Sequence, residues 1–188
     1  MRRLLATVLV MVLAAPAAAA LDLGQLMSEL ASHKGGRAKF VETKYLAVLD
    51  KPVVSTGEMS YTPPDRMEKR TLTPHPETLV LDRDVVSITR DQRKLSVRLD
   101  TQPEAMAFVD SIRGLLAGDR AALEKIYLLQ LSGSPQKWVL NLLPSDQRIA
   151  AVVLRITVSG SGNQVRSIEY LLADGDRTVL TIDPIGGL

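Results

Sequence analysis

Two histidines, no cysteine and a scatter of carboxylates are what this sequence offers to chemistry. His75 sits between Pro74 and Pro76 in a turn, and His33 follows the first helical pattern. Neither has a second histidine at the spacing a zinc site needs, so no metal is expected. Without cysteine there is no thiolate metal site, no catalytic thiol, no disulfide scaffold and no attachment point for a bacterial lipid anchor. The G-x-S-x-G elbow, the phosphate-binding P-loop and the G-x-G-x-x-G turn are all missing. Asp82, Asp84, Asp174 and Asp176 fall where hairpins turn, a position aspartate takes for backbone reasons. Glu42 and Lys69 alone remain as candidates for ionisable groups inside an apolar space. No catalytic residue and no cofactor are expected.

The informative residues are apolar. On alternating strands, Phe40, Met59, Tyr61, Met67, Leu79, Leu81, Leu95, Val97, Trp138, Leu140 and Tyr170 are expected on one inward face. A helix carrying Met106, Phe108, Val109, Ile112, Leu115 and Leu116 can cover that face as a lid. Periodicity leaves two readings open, an ordinary packed core or a cavity for an apolar ligand. Only seven aromatic residues occur, so the filler is aliphatic and methionine, side chains soft enough for either.

The elements that must position these residues follow from the pattern. Asp22 is a helix N-cap before Leu23, Leu26, Met27 and Leu30, and Gly35-Gly36 ends that helix. Strands are predicted over residues 37–49, 55–61, 66–73, 79–82, 85–90 and 95–99, joined by tight turns as an antiparallel meander. Thr101 and Glu104 form a capping box opening the lid helix, Gly118 closes it, and Asp119 caps another through Tyr127. Strands then return over 128–132, 138–142, 149–158, 165–173 and 178–182. The predicted fold is α+β: one strongly curved antiparallel sheet with helices against one face.

Residues 1–20 read as a cleaved secretory signal peptide, with Arg2 and Arg3, an apolar run from Leu4 to Ala15 and a small-residue site at Ala18-Ala19-Ala20. Residues 21–188 are then a single domain, of a size one core can support. Discarding Arg2 and Arg3 leaves 21 basic residues against 21 acidic ones, so a nucleic-acid partner is not expected. The expected product is a periplasmic protein without a lipid anchor, and a monomer.

Three segments carry a resemblance. Phe40-Val41-Glu42-Thr43 after the first helix, the hairpin Gly57-Glu58-Met59-Ser60-Tyr61-Thr62-Pro63-Pro64-Asp65-Arg66-Met67-Glu68, and Leu115-Leu116-Ala117-Gly118-Asp119 followed by Tyr127 resemble the periplasmic lipoprotein-carrier (LolA-like) family, in a divergent LolA-related branch. The resemblance implies a half-open β-barrel wrapped round a hydrophobic cavity and lidded by helices. It implies a carrier of acylated lipoprotein or lipid cargo, from an inner-membrane transporter or exporter to an outer-membrane acceptor. The alternative it allows is a lipid-sensing regulatory module acting on a membrane partner. The family's arginine before the hairpin proline is absent here, where Thr62 and Pro63 precede Pro64, and Lys69 stands where a cavity tryptophan is expected.

Lys69 shares a face with Met67, and Glu42 with Phe40. Charges in an apolar space must pair, reach the rim or meet a charged cargo group. A head-group contact for Lys69, with Glu42, is the expectation carried forward. Burying a methylene is worth about 0.8 kcal/mol, so a ~16-carbon chain offers on the order of 12 kcal/mol. A lid that must leave the cavity supplies the opposing energy that release requires.

Overall fold

The computed structural model describes residues 21–32, 34–101 and 103–185, with the side chains of Pro103, Glu104 and Ala107 set aside. The expected signal peptide and His33 lie outside the described residues, as does the Glu104 half of the expected capping box. Chain order is α1 (Leu23–Ala31), β1 (Gly36–Tyr45), β2 (Val53–Thr62), β3 (Arg66–Thr73), β4 (Glu77–Asp82), β5 (Val85–Arg90) and β6 (Arg93–Arg98). After a 3-10 turn (Leu99–Thr101) come α2 (Pro103–Ala117), α3 (Arg120–Glu124), β7 (Tyr127–Ser134), β8 (Lys137–Pro144), α4 (Gln147–Ala150), β9 (Val153–Ser161), β10 (Gln164–Leu172) and β11 (Arg177–Ile185).

The strands form one antiparallel sheet in the order β6-β5-β4-β3-β2-β1-β11-β10-β9-β8-β7. β6 and β7 are its two edges and do not meet, so the sheet stays unclosed, as predicted. Two meanders are joined where β1 pairs with β11, Phe40 lying opposite Ile182 and Glu42 opposite Leu180.

Local signals explain most boundaries. Asp22 caps α1, its Oδ2 accepting from the Gln25 N–H at 3.0 Å. That helix stops at Ala31, before the expected Gly35-Gly36, because Ser32 closes it with bonds back to Ser28 and Glu29. Gly118 ends α2 with φ +63°, and a Cβ there would press on Met27 O and Ala31 of α1. Asp119 caps α3 through a 2.9 Å bond from the Ala122 N–H. α3 is shorter than predicted, since Tyr127 already belongs to β7. Likewise β1 ends at Tyr45 rather than Leu49, and residues expected to open β9 instead make α4, capped by Asp146. Leu99, expected at the end of a strand, turns inward and is 6% exposed.

Residues directly opposite one another in an antiparallel pair share a face. From Phe40 the register therefore marks one apolar face through Ile182, Leu180, Ile168, Val158 and Leu140. Trp138, Leu140, Tyr127, Leu26 and Leu30 are at most 2% exposed, so the core lies between this face of β1 and β7–β11 and the helices α1 to α3. A second, smaller cluster of Leu81, Leu99 and Val109 lies on the β3–β6 side, with Met67, Val86, Ala105 and Met106 around it.

Candidate functional site

Register assembles the inward residues of β2–β6 into rows that cross the strands. Tyr61, Met67, Leu81, Val86 and Val97 form one row, each opposite the next. Met59, Lys69, Leu79, Ile88 and Leu95 form the row beside it. All the residues expected on the inward face therefore do share it, and they fall into two environments. Phe40, Trp138, Leu140 and Tyr170 are buried in the main core, with Met59 against its edge. Tyr61, Met67 and Leu79 are half-buried, Leu81 is 4% exposed, and Val97 and Leu95 are 39% and 61% exposed. Burial is thus greatest at Leu81 on β4 and least at the β6 edge.

Helix α2 straddles the two environments. Phe108 meets the Tyr170 ring at 4.6 Å between centroids, and Leu115 is buried in the main core. Met106 and Val109, on the neighbouring stripe, pack into the smaller cluster against Leu81 and Met67. Ile112 and Leu116 are half-buried. Helix α2 thus lays its own side chains against the sheet, and Leu95, at the β6 edge, is 61% exposed.

Arg113 continues the stripe of Met106 and Val109, seven and four residues on. It reaches the turn between β4 and β5: Nη1 donates to Asp84 Oδ1 at 3.2 Å and Nη2 to the Arg83 carbonyl, with Asp110 3.6 Å from Nη1. Its Nε is buried with no hydrogen-bond partner among the described residues. Helix α2 is therefore tied to the sheet by an arginine of its own, at a place the sequence reading passed over. The available signal was a charge interrupting an apolar helical stripe.

Glu42 and Lys69 pair. Lys69 Nζ lies 2.6 Å from Glu42 Oε1 and 4.9 Å from the centre of the Phe40 ring. Ser55 donates to the other carboxylate oxygen at 3.2 Å, and Lys44 approaches it at 3.6 Å. Burial alone pushes the Glu42 carboxyl up, but the Lys69 bond and charge, the Lys44 charge and the Ser55 bond outweigh it and hold it below the usual carboxylate range. Of the outcomes expected for these charges, pairing is the one seen: both are satisfied within the protein, and a cargo anion would have to displace Glu42 to reach Lys69. Burial also pushes the Tyr170 and Tyr127 phenols up, so both stay protonated.

Of the turn aspartates, Asp82 and Asp84 pair with Arg66 and Arg113, while the other two serve the backbone. Asp176 accepts from the Ala47 N–H at 2.8 Å and Asp174 from the Asp176 N–H at 3.0 Å. Among the described residues no group of three histidines or carboxylates could hold a metal ion, and no helix is long and apolar enough to cross a membrane.

A shallow depression of about 590 Å³ lies at the open end of β4–β6, where Ile88 and Leu95 meet Glu77, Arg90 and Arg93. A second, of about 700 Å³, lies on the opposite face and is lined mainly by polar residues, among them Arg66, Asp82, Ser87 and Thr89.

A family model described as outer membrane lipoprotein carrier protein LolA-like matches residues 14–182. No curated protein matches the sequence. Among solved structures, a LolA superfamily protein from Nitrosomonas europaea is similar at 9% identity and TM-score 0.44, over 90% of this chain and 96% of that one. The Pseudomonas aeruginosa MucA/MucB complex is similar at 15% identity and TM-score 0.48, over 89% of this chain and 59% of that one.

Proposed function

The chain belongs to the LolA-like family of outer membrane lipoprotein carrier proteins, and from that premise we propose that it is a periplasmic carrier holding acyl chains against the concave face of β3–β6. The cargo is an acylated lipoprotein or lipid, received from an inner-membrane transporter or exporter and given up to an outer-membrane acceptor. One observation carries the reading: the concave face has two parts. The β7–β11 side is a dense core, whereas the β3–β6 side holds a separate small cluster completed by α2 and then runs on as uncovered apolar residues.

The energetics suit exchange. Withdrawing buried Val109 and part-buried Met106 from the small cluster costs at most about 3–6 kcal/mol, taking about 1.5–3 kcal/mol for a fully buried side chain. At about 0.8 kcal/mol per methylene, roughly the first four to eight carbons of an acyl chain only offset the displaced cover. Longer chains bind with the surplus, which is smaller than the full transfer energy and so permits release. Phe108 and Leu115, seated in the main core, keep α2 attached while its other stripe moves.

A chain-length series tests this. Fluorescence displacement with C6, C8, C12 and C16 monoacyl lipids is expected to show a threshold, with C6 and C8 ineffective and affinity rising steeply beyond. Native mass spectrometry of protein released gently from the periplasm is expected to show an acylated adduct. A smooth rise from the shortest chain, or no binding at C16, would overturn the displaced-cover mechanism. Binding without transfer between membranes, in a complex whose membrane partner responds to lipid, would assign a sensor instead.

A further inference from the structure

We propose that the open end of the concave face is a head-group site: Arg93, with Arg90 beside it, accepts the phosphate of an acyl lipid whose chain lies along the face toward α2. The inference rests on the acyl-binding reading and names the chemistry of the ligand's polar end.

The rows that cross β3–β6 are graded. Nearest α2 lies Met67-Leu81-Val86-Val97, then Lys69-Leu79-Ile88-Leu95, and one step further out Glu77, Arg90 and Arg93. Successive same-face residues on a strand are two apart, so each step is about 7 Å, and about 14 Å separates the covered row from the arginines. The first row holds the small cluster against α2, the second runs from half-buried Leu79 and Ile88 to Leu95 at 61% exposure, and the third carries the arginines, an order that suits an amphiphile laid along a strand.

The cationic end is asymmetrically satisfied. Arg90 and Arg93 are direct partners across the β5–β6 pair, and like charges placed so are destabilising. Glu77 takes Arg90 at 2.7 Å, whereas no carboxylate among the described residues lies within ion-pairing distance of Arg93. Asp91 adds a second carboxylate to the depression, and Lys94, which alternates to the other face opposite Thr89, reaches its edge beside the exposed Leu95. Lys69, in the same row as Leu95, is already held by Glu42, so among the described residues Arg93 rather than Lys69 is the cation on this face without an ion-pair partner.

The test compares two probes with the same C16 chain, lysophosphatidylglycerol and the neutral monoacylglycerol, both below micelle formation, on the full chain. The unaltered protein is expected to bind the anionic probe about tenfold tighter, the value of one charge-assisted contact at the low end of its range. Arg93→Gln is expected to bring the two probes within about twofold by weakening only the anionic one, and Arg93→Lys to restore most of the preference. Arg93 is exposed, so neither variant threatens the fold. Equal binding of both probes by the unaltered protein, or a preference that survives Arg93→Gln, overturns the head-group site while the acyl reading stands. Failure of both probes to bind overturns the acyl reading and the head-group site with it.

Discussion

Arg113 gives the sharpest check on whether α2 is a movable cover. Arg113→Met keeps the packing of the aliphatic stem and removes the guanidinium. Three contributions set the size of the effect. The hydrogen bond to the Arg83 carbonyl comes from a charged donor and is worth about 1.5–3 kcal/mol. The Asp84 carboxylate is 52% exposed, so that ion pair adds only about 0–1 kcal/mol. Against both stands the buried, unpartnered Nε, whose removal returns about 1–3 kcal/mol. The balance loosens the cover by about 1 kcal/mol, or about fivefold in the population of the open form. Since apparent affinity scales with the competent population, a C16 probe is expected to bind about fivefold tighter. Hydrogen exchange across α2 is expected to quicken by a similar factor, while the urea midpoint moves little. Unchanged or weaker acyl binding by a variant with an intact urea transition would refute the gating argument, because the cover would then not compete with cargo.

Other expectations separate fold from site. Gly57 lies opposite Phe40, and a Cβ there would meet the Arg70 carbonyl and come within 2.9 Å of the Phe40 ring, so Gly57→Ala is expected to cost about 1–3 kcal/mol in urea unfolding. Leu95 is 61% exposed, so Leu95→Ser is expected to leave stability within about 0.5 kcal/mol yet weaken C16 binding roughly tenfold, read by the same displacement titration. Glu42→Gln leaves the Lys69 ammonium without its partner and is expected to cost about 1–3 kcal/mol at neutral pH. The folded Glu42 carboxyl lies below its ordinary 4.5, so on acidification the unfolded chain takes up the proton first. The pair's contribution is therefore complete above that value and drains as pH falls through the lower folded one. Urea midpoints of the two proteins are expected to converge as pH drops below 4.5, and a constant gap would show that ionisation of Glu42 contributes nothing.

How far the site could be read beforehand differed from residue to residue. Alternation put Met59, Tyr61, Met67, Leu79, Leu81, Leu95 and Val97 on one face because side-chain direction in a strand has period two, whatever the strand packs against. Burial depends on what covers each strand, so the pattern did not distinguish Trp138, at 0% exposure, from Leu95, at 61%. The charges were harder. Lys69 and Glu42 are 27 residues apart in sequence. The pairing of β1, β2 and β3 puts them on one face in different rows, where the long lysine side chain reaches along the sheet to the carboxylate. Arg113 and Arg83 are 30 apart and meet because a helix folds back over a hairpin turn.

What the amino-acid order determined by itself was local: helix caps at Asp22 and Asp119, hairpin strands such as Arg66–Thr73, and the apolar stripe of α2. Each rests on interactions within a few residues, where backbone conformation and periodicity decide. The tertiary structure alone decided that β1 joins β11, that α2 divides its contacts between a large cluster and a small one, and that Arg93 is left facing Arg90 without a carboxylate of its own. Those outcomes depend on which distant surfaces lose water together, and burial of that kind is a property of the assembled sheet rather than of any one segment.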